Sequence, residues 1–113
     1  MGKTVKSYAR IMIEIDGQKV LGPGRVELME NIIETGSISS AAQKMGMSYQ
    51  KASQMVSELN HAYEEDIILT WKGGKSNGGA KVSEKGMRLM QDYKLLRAKV
   101  QSLLNEAVSD FSP

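Results

Sequence analysis

Residues 36–60 read GSISSAAQKMGMSYQKASQMVSELN. Ile38, Ala41, Ala42 and Met45 fall at i, i+3, i+4 and i+7, the spacing of one helix face. Ser37 stands where an N-cap belongs, and Gly46 where the glycine after a helix belongs. Ser48 then caps a second helix, on which Ala52, Met55, Val56, Leu59 and Tyr63 repeat the same spacing. Two helices joined by about three residues that include a glycine predict a helix-turn-helix. Gly46 accepts a positive φ that costs most residues ~1 kcal/mol or more, which allows a tight turn. The small Ala41 and Ala42 allow the two helices to cross closely.

The opposite face of the second helix carries the functional signal. Tyr49, Gln50, Lys51, Ser53, Gln54 and Ser57 lie off the apolar stripe, clustered in the first turns, and Glu58 is the first carboxylate. Such side chains hydrogen-bond base edges and phosphates. An ordinary solvated helix face would carry more Glu among its Lys. The types therefore predict a recognition surface on that helix.

Outward from this stretch the pattern continues on both sides. Upstream, ARIMIEIDGQKVL over residues 9–21 predicts a hairpin, with Ile11, Ile13 and Ile15 alternating and Asp16-Gly17 as its turn. Gly22-Pro23-Gly24 breaks the strand, and a helix follows over about Arg25 to Glu34 with Val26, Met29, Ile32 and Ile33 on one face. Thr35-Gly36 ends it. Downstream, Glu64-Glu65-Asp66 makes an acidic corner. Ile67 to Trp71 reads as a strand, residues 72–79 (KGGKSNGG) as a glycine-rich basic loop, and Ala80-Lys81-Val82 as a returning strand. A hairpin with a basic tip directly after a helix-turn-helix is what a wing looks like, and its tip can lie along a groove or backbone. Ser83 caps a last helix that runs to about Asp110. On it Leu89, Tyr93, Leu96, Val100, Leu103 and Ala107 step by four and three, a seam of under three heptads. A helix this long outreaches a small core, so the seam predicts a homodimer interface. The fold expected is α+β: a winged helix-turn-helix with an N-terminal β-hairpin at residues 1–82, and a C-terminal dimerisation helix at 83–113 in the same domain.

Composition bounds the remaining possibilities. A chain of 113 residues can bury roughly two-thirds of its unfolded surface, enough for one core without staples. There is no cysteine, so disulfides and thiolate metal sites are excluded. No apolar run approaches the ~20 residues of a membrane span, and the N-terminus has no apolar signal core. The expected location is the cytoplasm. Net charge is only +2, but residues 72–99 hold Lys72, Lys75, Lys81, Lys85, Arg88, Lys94, Arg97 and Lys99 against Glu84 and Asp92. That basic segment on a near-neutral chain points to a polyanion-facing surface, although past Lys85 a solvated helix face explains it equally well.

The chain resembles the N-terminal DNA-binding domain of the molybdate-responsive transcriptional regulators (ModE), a bacterial winged-helix group related to the LysR-type domains. The likeness rests on GPGR at 22–25, TGSIS at 35–39, MGMSY at 45–49, Gly73-Gly74-Lys75, and Gly78-Gly79-Ala80. The following Val82-Ser83, Gly86 and the long helix also fit, so about residues 9–107 are covered. The resemblance implies a homodimer on palindromic operator DNA, with the helix from Ser48 in the major groove and the 72–79 loop as wing. By position, Ser37 and Ser39 would touch phosphate, Ser48, Tyr49, Gln50 and Lys51 would face DNA, and Lys75 would sit at the wing tip. Ser53, Gln54, Lys72, Ser76, Asn77 and Lys81 complete the expected DNA-binding set. Family members often carry a basic residue at position 50 and Trp at 53, where this chain has Gln50 and Ser53, so operator sequence does not transfer. The chain stops at Pro113, before the molybdate-binding domains that normally follow; no molybdate site is evident and no cofactor is expected.

Other motifs weigh less. Gly73-Gly74-Lys75-Ser76 is similar to a phosphate-binding loop, but Leu69 stands where the first glycine is needed and a strand follows instead of a helix. His61 has no carboxylate and nucleophile around it, which argues against catalysis. Met29, Met45 and Met55 sit at stripe positions, where core filling is the expected use. Trp71 is expected as a core anchor at a strand end, with stacking on a sugar or base as its other use. The main rival is a protein-interaction module that docks through the last helix; an enzyme with an oxyanion or nucleotide site at the glycine loop is not expected, because no general base or metal set accompanies the loop.

Overall fold

The computed structural model describes residues 2–73 and 78–113. The hairpin forms from β1 (Ile13–Ile15) and β2 (Gln18–Leu21). Asp16 and Gly17 take φ of 51° and 82°, the positive pair that a tight two-residue hairpin turn requires. The register runs Ile15↔Gln18 and Glu14↔Lys19, then jumps to Ile13↔Leu21. Val20 is thus an extra residue, a bulge that re-aims its neighbours, and Val20 and Leu21 are both buried.

Helix α1 spans Pro23–Thr35, wider than the expected 25–34, because Pro23 is preset for a first helical position and Gly36 closes the end. Its buried side chains are Val26, Leu28, Met29, Asn31 and Ile32. Ile33, expected on that face, is instead half exposed: it lies on the helix edge, in a shallow groove with Met87 and Leu95 of the last helix. Asn31 is buried, and its amide finds a partner by donating to the Glu27 carbonyl at 3.0 Å.

The helix-turn-helix forms as the sequence predicts. Helix α2 covers Ile38–Met45 and α3 covers Tyr49–Tyr63. The Ser37 hydroxyl accepts from the Ser40 N–H and the Ser48 hydroxyl from the Lys51 N–H. Gly46 adopts φ 70°, and the N–H groups of Gly46 and Met47 return to carbonyls at the end of α2. Ala41, Ala42 and Ala52 are all fully buried, which is the close crossing their size allows. Strands β3 (Ile68–Trp71) and β4 (Gly79–Val82) pair antiparallel from Ile68↔Val82 to Trp71↔Gly79.

Helix α4 runs Glu84–Ala107, followed by a 3-10 turn at Val108–Asp110; Ser83 caps it by accepting from the Gly86 N–H. At ~1.5 Å per residue it extends for ~36 Å. In its first half, two of the expected seam positions pack against the core of their own chain. Tyr93 is buried and its hydroxyl donates to the Ile11 carbonyl at 2.9 Å, and Leu89 packs against the same core. The remaining seam residues stand clear or half clear: Leu96, Leu103 and Ala107 are exposed and Val100 is half buried. The segment before β1 lies along this helix, held where Gln101 donates to the Ser7 carbonyl at 2.8 Å.

Candidate nucleic-acid interface

Helix α3 is anchored on one side and bare on the other. Ala52, Val56 and Leu59 are buried, while Tyr49, Gln50, Lys51 and Gln54 are exposed and Ser53 is half buried. Two tertiary devices that sequence reading missed hold it in place. The Arg25 guanidinium, at the start of α1, donates to the Glu58 carboxylate at 2.8 Å, with the Arg25 side chain largely buried. The first acid on α3 is therefore turned toward α1. At the other end, the Asn60 side-chain oxygen accepts from the N–H groups of Ile67 (2.8 Å) and Ile68 (2.9 Å), and its amide donates to the Ile68 carbonyl at 3.0 Å. Asn60 thereby fixes the angle between α3 and β3. Only the spacing Asn60 to Ile67, without a motif, preceded it in the sequence.

The exposed end of α3, the start of α2 and the β3–β4 hairpin enclose an open groove. Its walls include Ser37, Ser39 and Ser40 from α2, Tyr49, Ser53 and Ser57 from α3, and Thr70, Trp71 and Lys72 from the hairpin. No Asp or Glu lines it among the described residues. The cap hydroxyls of Ser37 and Ser48 accept hydrogen bonds internally, and each keeps its own proton to donate outward. A wall of hydroxyls, amides and lysine without carboxylates suits a polyanion.

Trp71 is not the core anchor expected: it is 51% exposed at the groove mouth. Its indole lies against Gly79, its cross-strand partner, where a Cβ would overlap the ring. Lys72 and Lys81 are exposed beside it. Lys75, Ser76 and Asn77 lie outside the described residues. At the far end of α3, burial pushes the Tyr63 phenol above its ordinary pKa, and the Lys85 ammonium sits 5.5 Å from its ring centre.

Comparison with known proteins agrees with this geometry. Residues 24–76, from α1 to the hairpin, match the bacterial regulatory helix-turn-helix proteins of the lysR family. Along nearly its whole length the chain is similar to the DNA-binding transcriptional dual regulator ModE of Escherichia coli K12, with 36% identity over 90% of this chain. The fold and the matches together make the chain a winged helix-turn-helix similar to the ModE regulators. The ModE regulator of Yersinia pestis is 35% identical over 93% of the chain. The chain spans 39% and 41% of the length of these two ModE relatives. The fold is shared with the full-length LTTR LysG of Corynebacterium glutamicum, at TM-score 0.54 and 22% identity, covering 79% of this chain and 30% of that one.

Proposed function

We propose that this ModE-like domain binds double-stranded DNA as a homodimer and acts in transcription regulation, with α3 in the major groove and the hairpin wing along the flanking backbone. The observation that carries the reading is the division of α3: its apolar side is locked into the subunit, and Tyr49, Gln50, Lys51 and Gln54 stand free. Gln50 and Gln54 have the amide geometry that pairs with adenine, and Lys51 serves guanine or phosphate. Ser37, Ser39 and Ser48 position the helix on phosphates, and Lys72, Lys75 and Lys81 hold the wing. The protein acts in the cytoplasm.

Residues 1–82 form the binding unit and 83–113 the dimerising helix of one domain. The dimer joins through the free half of α4, where Leu96, Val100, Leu103 and Ala107 continue the seam past the core. Two subunits then present two α3 helices to half-sites about 34 Å apart, or a multiple of it, on an inverted repeat.

A protein-docking use of the same fold has one observation in its favour, the exposed Ile33, Met87 and Leu95 between α1 and α4. Retention on immobilised duplex separates the two readings. DNA binding predicts earlier elution for a Lys72→Ala/Lys75→Ala chain as salt rises, and docking alone predicts an unchanged profile.

A further inference from the structure

We infer that Trp71 is itself a DNA contact: its free face packs on a deoxyribose of the backbone next to the groove that α3 enters. The inference rests on the DNA-binding reading and extends it to a residue that the sequence placed first as a core anchor. Three observations carry it. Trp71 is 51% exposed, although it ends a strand that begins with the buried Ile68. The indole packs against Gly79, its cross-strand partner, so its own hairpin holds the ring while half of the residue stays exposed. Trp71 lines the same groove as Tyr49, the first residue of α3, together with Ser39 and Lys72, and no carboxylate lines it among the described residues.

The chemistry selects the part of DNA that such a ring can reach. Base faces are stacked inside a duplex, while the sugars present C–H edges between phosphates. An indole supplies a large rigid apolar plane for those edges, and the hydroxyls and lysine beside it match the phosphates on either side. Leaving a half-bare tryptophan in water gains the free protein nothing, whereas covering it on binding removes apolar surface from water. Contact with sugar is indifferent to base identity, so Trp71 adds affinity to any duplex.

Trp71 is the one tryptophan of the chain, so its emission reports this site alone. The experiment titrates the unmodified protein with a mixed-sequence duplex of ~20 bp, two helical turns. It reads two signals in parallel: anisotropy of a dye on the DNA, and Trp71 emission with its quenching by acrylamide. The expected result is an emission change and loss of quenching that saturate together with the anisotropy. Trp71→Ala then weakens binding about tenfold and Trp71→Phe recovers most of it. Gly79→Ala, which pushes the ring from its seat without touching any charge, weakens binding in the same direction. If anisotropy rises while Trp71 stays as open to acrylamide as in the free protein, the inference is overturned and the DNA-binding reading stands. If anisotropy does not rise at all, both fall. Unchanged affinity in Trp71→Ala, with its fold verified by circular dichroism, also overturns the inference.

Discussion

The Arg25 guanidinium reaches across from the first turn of α1 to the Glu58 carboxylate on α3, 2.8 Å away. One ion pair thus does two things. It fastens α3 to the scaffold helix, and it turns the nearest carboxylate away from the exposed side of α3.

Arg25→Ala leaves Glu58 without its partner. Because Glu58 is over a third exposed, solvent recovers part of the loss, and the expected cost is about 1–2 kcal/mol rather than the larger figure of a fully buried pair. Arg25→Lys keeps one donor and is expected to cost less. Urea unfolding of the three chains checks the order.

Gly46 sets the turn. A Cβ there meets nothing within 4 Å, so only its positive φ resists substitution. Gly46→Val is expected to destabilise by about 1–3 kcal/mol, and Gly46→Asn by much less, because asparagine tolerates the left-handed region. Thermal unfolding separates them. Equal losses would place the constraint in packing instead.

Base reading and backbone holding should come apart in binding data. Gln50→Ala is expected to narrow the gap between preferred and random duplexes. Lys72→Ala weakens both alike and reduces the salt slope by about 0.9, the value for one phosphate no longer neutralised. Competition binding at several salt concentrations measures both effects.

Along α4 the same kind of substitution has opposite outcomes at two sites. Leu103→Asp, at an exposed position, is expected to leave folding intact and to dissociate the dimer. Tyr93→Ala removes a buried ring and its hydrogen bond to Ile11, and is expected to cost about 3–5 kcal/mol of subunit stability. Sedimentation velocity and unfolding curves together distinguish the two. A dimer untouched by Leu103→Asp would put its interface elsewhere.

What can be read from the sequence follows the range of the interactions. Ser37, Gly46, Ser48 and Ser83 act within a turn of where they stand, and each caps or ends the helix the spacing predicts. Arg25 finds Glu58 across 33 positions and Tyr93 finds Ile11 across 82; neither pairing leaves a local pattern. Periodicity on α4 likewise does not say which turns the chain's own core has claimed, as it has Tyr93. Trp71 misleads because an apolar run ending in tryptophan resembles a buried strand. Its glycine partner across the hairpin, which holds the ring at the surface, is a matter of register. The bare face of α3 is legible because an amphipathic helix shows both of its sides in its composition.

Selection of bound duplexes from a random pool tests the central claim most directly, because it requires the free side of α3 to read bases and the dimer to place two copies of it. The expected product is an inverted repeat with half-site centres one or two duplex turns apart, lost when Gln50 and Gln54 are both changed to alanine. A pool that emerges without enrichment, or a repeat that survives those changes intact, would contradict the assignment of α3 as the reading helix.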